Sequence, residues 1–205
     1  MKVRRIVVGP LLTNCYIVWE EGEAVVVDPG DEESNIRSVL EKEGLAVRRI
    51  VVTHGHFDHV YAADPLSKAV GAQASCHRLE AEGSKPLWYL QNYYYDENRP
   101  FPRLNADLDE GARIEFGGTS LRVLHTPGHT GGSICLVSGE FILTGDTLFR
   151  GSVGRTDFGG NWEALQSTLK RLSSLDGDLV VLPGHGEEST MEHEVRTNRF
   201  LLDLH

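Results

Sequence analysis

Cysteine is scarce in this chain: Cys15, Cys76 and Cys135 are odd in number, widely spaced and form no C-x-x-C pair. That pattern argues against a disulfide framework and a thiolate metal site, and a reducing, cytoplasmic setting fits it. Long apolar runs are also missing. None approaches the roughly 20 residues that cross a bilayer, so no spanning helix is expected. The opening Met1–Val8 resembles a signal peptide only superficially. Gly9-Pro10 breaks its apolar stretch and no small-residue cleavage site follows, so it reads as a strand. Positive charge is in deficit, with 20 Lys and Arg against 30 Asp and Glu and a net charge of −10. Phosphate binding needs clustered cations, so a nucleic-acid partner is not expected. The expected partner is a small molecule, with neither nucleic acid nor membrane involved. Oligomeric state leaves no trace in the sequence. At 205 residues, 40% hydrophobic and 24% charged, the chain suits one globular domain spanning 1–205.

Histidine, by contrast, is concentrated. Thr53-His54-Gly55-His56-Phe57-Asp58-His59 places three imidazoles and a carboxylate in six consecutive residues, directly after the apolar run Ile50-Val51-Val52. These side chains ligate zinc, iron or manganese. From a regular strand they could not all reach one ion, because successive side chains point to opposite faces. A loop past the strand end would instead send His54 and His56 to one ion and Asp58 with His59 to a neighbour, which suggests a two-metal site.

The remainder of the chain alternates strands and helices. Strands are predicted at 3–8, 15–19, 24–27 and 47–53, with a helix over 31–44. Residues 61–70 read as a helix, 72–76 as a short strand and 77–82 as a helical turn. The stretch 84–105 crowds Trp88, Tyr89, Tyr93, Tyr94, Tyr95 and Phe101 among prolines. It is read either as a surface excursion or as a substrate wall or lid. Strands resume at 112–116, 120–124, 133–137 and 140–143. A Gly-rich loop over 151–160 leads to Asn161, which caps a helix through Leu172, and a last strand covers 178–182. The two halves, roughly 1–110 and 111–205, share an order of events: a hairpin strand ending in Asp28 or Asp146, a helix, then a strand ending near His54 or His185. A faint internal duplication follows, with both sheets aiming their carboxyl ends at a shared groove. His129, Asp146 and His185 each follow an apolar strand through a Gly-containing turn, where such a groove would collect ligands.

Taken together, Thr53–His59, His129, Asp146 and His185 resemble the ligand set of the metallo-β-lactamase fold, and the likeness covers nearly the whole chain. The resemblance implies an α/β fold, a four-layer αβ/βα sandwich. It also implies two divalent ions, zinc foremost with iron or manganese as alternatives. His54, His56 and His129 would hold one ion, Asp58, His59 and His185 the other, and Asp146 would bridge them. Asp28, in Val27-Asp28-Pro29-Gly30, matches the family's acidic residue beneath the His loop and is expected to orient a ligand. Gly9-Pro10-Leu11-Leu12-Thr13-Asn14-Cys15-Tyr16 and Thr144-Gly145-Asp146-Thr147-Leu148-Phe149 resemble the glyoxalase II-like group, the hydroxyacylglutathione hydrolases. The expected reaction is thioester hydrolysis by a metal-bridging hydroxide that Asp58 and Asp146 position. The lactamases proper usually lack the equivalent of His59 and commonly carry Cys in place of Asp146, so lactamase activity is not expected.

Two departures bear on the substrate. Only 20 residues follow His185, so no separate C-terminal helical domain is expected, although the full-length enzymes have one. The position resembling the group's glutathione-contacting Lys is Arg155, which either meets a substrate carboxylate or pairs with Asp157. An alternative, a mononuclear Fe(II) persulfide dioxygenase, would use His54, His129 and Asp146; the run Gly154–Phe158 resembles those enzymes as well. A non-catalytic member binding metal for stability alone would leave Asp58, His59 and His185 unexplained. His77, His125, His193 and His205 receive no role, and His125 reads as a packed structural residue.

Overall fold

The computed structural model describes residues 1–83, 85–95 and 99–204. Ser84, in the aromatic stretch, and His205 lie outside the described residues. Strands β1 (Lys2–Val8), β2 (Thr13–Glu20) and β3 (Glu23–Val27) form an antiparallel meander, with β2 and β3 joined by the tight Glu21-Gly22 turn. Helix α1 (Glu33–Glu43) then carries the chain over to β4 (Ala46–Val51), which pairs parallel to β3. Gly44 ends α1 in the left-handed region, φ 65°, where its N–H reaches the carbonyls of Leu40 and Glu41. After α2 (Phe57–Val60) and α3 (Ala63–Val70), β5 (Ala74–Cys76) extends the parallel side. Helix α4 (Arg78–Gly83) and a 3₁₀ helix (Lys85–Tyr93) precede the edge strand β6 (Asn105–Ala106).

The second sheet begins with a meander of β7 (Arg113–Phe116), β8 (Thr119–His125), β9 (Ile134–Val137) and β10 (Phe141–Gly145). A small hairpin, β11 (Leu148–Phe149) with β12 (Ser152–Val153), leads to α5 (Trp162–Leu172). Asn161 caps α5 by accepting the Ala164 N–H at 2.8 Å, as the sequence predicted. Strand β13 (Val180–Pro183) pairs parallel to β10, and β14 (Ser189–Thr190) closes that edge before α6 (Met191–Thr197) and α7 (Arg199–Leu202).

Three apolar interfaces hold these layers together. In β2 and β3, Cys15, Ile17, Ala24 and Val26 face Ile36, Leu40 and Leu66 of the helices. Their neighbours Tyr16, Val18, Val25 and Val27 face Leu121, Val123, Ile134 and Leu136 of the other sheet. The reverse side of that second sheet, through Leu124, Cys135, Ile142 and Val181, packs on Leu165, Leu169 and Leu172 of α5. The period of two in each strand sorts successive residues to opposite faces, and both faces are covered. The result is the expected four-layer αβ/βα sandwich. All three cysteines are buried and free, and no helix among the described residues is long and apolar enough to cross a membrane.

The helix predicted over 61–70 is α3, Ala63–Val70. A further helical turn that was not predicted, α2, lies ahead of it inside the histidine motif, so Asp58 and His59 stand on a helical turn rather than a loop. The two-residue strands β6, β11, β12 and β14 are too short to show a period and do not stand out in the sequence.

Candidate metal centre

Strands β3 and β4 run parallel, as do β10 and β13, and β8 shares the direction of β10 through two antiparallel steps. Their carboxyl ends release the segments that carry the ligand-type residues. His54, His56 and α2 follow β4, His129 follows β8, Asp146 follows β10, and His185 follows β13. The two sheets are joined at this end. Thr13 bridges His185, the Asn14 N–H donates to Gly184 O at 2.7 Å, and the Tyr16 hydroxyl donates to Pro183 O at 2.8 Å. Much of the Gly9–Tyr16 motif thus acts as a stitch between the sheets.

All seven sequence-predicted ligands converge. His54, His56 and His129 form one compact set, His54, His59 and Asp146 a second, and Asp58, His59 and His185 a third. His129 Nε2 lies 3.0 Å from His56 Nδ1, and His59 Nε2 lies 3.2 Å from His185 Nε2. Asp58 Oδ2 is 3.2 Å from His185 Nε2 and 3.5 Å from His59 Nε2. Asp146 sits between the groups, with Oδ1 3.3 Å from His59 Nε2 and Oδ2 3.7 Å and 3.6 Å from His129 and His185. Two ligands of a tetrahedral ion at zinc–nitrogen lengths stand about 3.3 Å apart, so these spacings are those of coordination edges.

The outer ring nitrogens explain why the inner ones are bare. His129 Nδ1 donates to Arg155 O (2.7 Å), His185 Nδ1 to Leu11 O (3.1 Å) and His56 Nε2 to Phe158 O (3.3 Å). A carbonyl only accepts, so in each neutral ring the other nitrogen carries a lone pair. Asp28 treats His59 alike. Buried and at φ 53°, it accepts from His59 Nδ1 at 2.9 Å and from the Thr53 N–H and hydroxyl at 2.7 Å each. With its hydroxyl proton spent on Asp28, Thr53 Oγ1 accepts from His54 Nδ1 at 3.1 Å. His54 Nε2 and Asp146 Oδ1 are then buried without a hydrogen-bond partner. Lone pairs facing one another at 3 Å repel unless a cation lies between them, so the donor set fits divalent ions.

Electrostatics points the same way. Burial pushes His54 well below its ordinary pKa and His56 down to about 4, with neighbouring imidazoles adding to both. Burial alone would raise Asp58 and Asp146, but the facing histidines hold both below the usual carboxylate range. Burial would likewise lower His59 and His185; the carboxylates around them outweigh it and raise both. That field attracts cations. Glycine permits the close approach: a Cβ on Gly184 would lie 2.3 Å from Asp146 Oδ1 and 2.7 Å from His59 Cε1.

Several functional contacts were not legible in the sequence. Thr13 donates its hydroxyl to Asp58 Oδ2 at 3.0 Å. Glu80 is buried on α4 and accepts from the Gly55 N–H (2.7 Å), the Thr130 hydroxyl (2.6 Å) and the Gly132 N–H (2.8 Å). It therefore clamps the His54–His56 loop to the loop that bears His129. Neither residue belongs to a local pattern; their partners are distant in the chain. His77 and His125 stack at 4.1 Å, and His125 Nε2 donates to Gly131 O.

Above the cluster opens a groove of about 600 Å³, walled by Leu11, Phe57, Leu87, Leu90, Tyr94 and Phe158, among others. The aromatic stretch supplies one wall through Leu87, Leu90 and Tyr94, with Tyr94 stacked on Phe57 at 5.2 Å. Trp88 turns the other way, onto the core with Tyr61 and Phe101. Arg155 lines the rim, its guanidinium bonded to both carboxylate oxygens of Asp157 and stacked 4.2 Å over Phe158.

Comparison with known proteins agrees with this architecture. The protein TTHA1623, solved in a di-iron-bound form, superposes with TM-score 0.85 at 38% identity, over 97% of this chain and 100% of that one. Hydroxyacylglutathione hydrolase GloC of Haemophilus influenzae is 32% identical over 98% of both chains. The structure of ETHE1 from Myxococcus xanthus aligns with TM-score 0.83 at 26% identity, over 97% of this chain and 84% of that one. The family model for the metallo-beta-lactamase superfamily matches residues 8–185. With the sandwich, the converging strand ends and this match in agreement, the chain belongs to the metallo-beta-lactamase superfamily.

Proposed function

We propose that the chain is a dinuclear metal-dependent hydrolase of thioesters, hydroxyacylglutathione or a related acyl-thiol. The observation that carries this reading is the completeness of the Asp58–His59–His185 group. Each member is oriented from behind, Asp58 by Thr13, His59 by Asp28 and His185 by the Leu11 carbonyl. A second ion would give that construction its use. His54, His56 and His129 would hold one ion, Asp58, His59 and His185 the second, and Asp146 would reach both. Zinc, iron and manganese all suit such ligands, and the likeness to a di-iron protein supports iron as well as zinc.

Bound divalent ions supply a coordinated water acidic enough to be deprotonated near neutral pH and polarise a carbonyl. The chain's own residues position the reactants. Asp58 and Asp146, held ionised by the facing histidines, present acceptor oxygens that would orient the attacking water. Burial of the floor under the groove limits competing water. A departing thiolate, with a conjugate-acid pKa of about 8.5, needs no dedicated proton donor. Among the described lining residues, Asp58 and Asp146 are the only carboxylates.

The alternative, a mononuclear Fe(II) persulfide dioxygenase on His54, His129 and Asp146, draws on the Gly154–Phe158 run and the likeness to ETHE1. Metal analysis beside assays with S-lactoylglutathione and glutathione persulfide separates the two. About two ions per chain with thioester turnover is the expected result. No more than one tightly bound ion after supplementation, with oxygen uptake on the persulfide, would overturn it.

A further inference from the structure

The groove's walls and floor differ in chemistry, and the walls bear on what the rest of the substrate looks like. Leu11, Phe57, Leu87, Leu90 and Phe158 offer hydrocarbon or ring faces with no polar side-chain atom. Among the described residues that line it, Arg155 is the only Lys or Arg. Its two bonds to Asp157 leave the pair with no net charge at the rim, and its flat face rests on Phe158. The hydrogen bonds from Arg155 hold the Asp157 carboxyl down to about 2, so the pair stays ionised across the working pH range. A substrate carboxylate arriving there meets a guanidinium already committed to an intramolecular partner, on a chain of net charge −10. Arg155 and Asp157 are both exposed at the rim, so a carboxylate must displace Asp157 to gain the guanidinium and gains nothing from the apolar walls, whereas an alkyl or aryl group gains by leaving water.

We propose that the groove selects thioesters whose arm along Phe57, Leu87, Leu90 and Phe158 is apolar and uncharged, an alkyl or aryl group, and discriminates against arms that carry carboxylates. The proposal rests on the thioester reading above and sharpens it. It places a carboxylate-bearing glutathione conjugate below a simple acyl thioester as a ligand. Asp157 acts as a specificity device, because its carboxylate occupies the cation that an anionic arm would need.

Binding can be measured apart from turnover, by titration calorimetry with two thioethers that cannot be hydrolysed. S-hexyl-N-acetylcysteamine and S-(5-carboxypentyl)-N-acetylcysteamine differ mainly in a terminal carboxylate. The metal-loaded protein is expected to bind the hexyl compound at least ~10-fold more tightly, the scale on which pockets reject a group they cannot satisfy. Asp157→Ala, at an exposed position, should narrow that ratio to within about threefold by releasing Arg155, and Asp157→Ala with Arg155→Ala should restore it. Equal binding by the wild type, tighter binding of the carboxylate, or no binding of either thioether overturns the proposal. A ratio that Asp157→Ala leaves unmoved overturns the part given to the Arg155–Asp157 pair. Hydrolysis of hexanoyl-N-acetylcysteamine and S-lactoylglutathione is measured alongside. If neither is cleaved while the binding ratio holds, the thioester reading fails and the groove's selectivity stands. If S-lactoylglutathione is cleaved with the higher kcat/KM, the hydrolase reading stands and the selectivity proposal fails.

Discussion

The floor of the groove and its walls are built on opposite principles. On the floor the imidazoles and the Asp58 carboxylate are locked from behind, by Asp28, Thr13, Thr53 and the carbonyls of Leu11, Arg155 and Phe158. The walls are apolar side chains held by packing, and several are partly exposed. A floor built this way tolerates little displacement, since each donor has one productive direction. A wall of Leu and Phe can change size without disturbing the chemistry beneath it. The two regions meet in 154–158: its carbonyls at Arg155 and Phe158 orient floor ligands, while the same residues' side chains form the rim. Reaction type and substrate choice are thereby separable in the side chains but joined in the backbone.

Substitutions on the floor should cost most. His59→Ala and His185→Ala are each expected to lower thioester turnover by at least ~100-fold, the upper range for disturbed surroundings of a metal site. Thioester turnover that survives both single changes would exclude the two-metal reading; persulfide-dependent oxygen uptake that survives them would favour the dioxygenase. One layer behind, Asp28→Asn keeps the shape but no longer offers two acceptor oxygens to Thr53 and His59. A ~10- to 100-fold weaker metal affinity is expected, read by competition with a chromophoric chelator. Unchanged affinity would mean that Asp28 only shapes a turn.

Farther out, Glu80→Gln keeps one acceptor oxygen but loses the charge that receives the Gly55, Thr130 and Gly132 contacts. Metal affinity should fall about tenfold, with a lower melting temperature that added metal partly restores. A melting shift without any change in metal affinity would make the Glu80 clamp purely structural. The smallest effect is expected on the wall. Leu87→Ala should raise KM for an apolar thioester about fivefold, from partial loss of one side chain's burial, with two ions still bound. A fall in kcat or metal content from that change would show that floor and wall are not independent.

How much was legible in the sequence follows the same division. The histidine motif stood out because three imidazoles beside Asp58 are adjacent in the chain. The later ligands could be found because each follows an apolar strand and a glycine turn. Asn161 was readable as a cap because its partner lies three residues away. The start of α2 was missed because the metal-ligand pattern of Asp58 and His59 masks a single helical turn. Glu80 was missed because an acidic residue on a short helix, by itself, signals only solvent exposure. For the aromatic stretch, composition could not say which side chains would face the groove; Leu87, Leu90 and Tyr94 do, and Trp88 does not.

By itself the sequence determined which donor atoms the protein owns, the strand ends they hang from, and the pair Arg155 and Asp157 two positions apart. These depend on residue chemistry and on periods of a few residues. Only the tertiary structure decided which nitrogen of each ring faces inward, because that is settled by a partner far along the chain. Leu11 and His185 are 174 residues apart, and Thr13 and Asp58 are 45 apart. Such contacts exist only once two sheets, each sorting its side chains by a period of two, have stacked with their carboxyl ends together. That stacking is set by the summed burial of the interface between them, a quantity no local stretch of sequence contains.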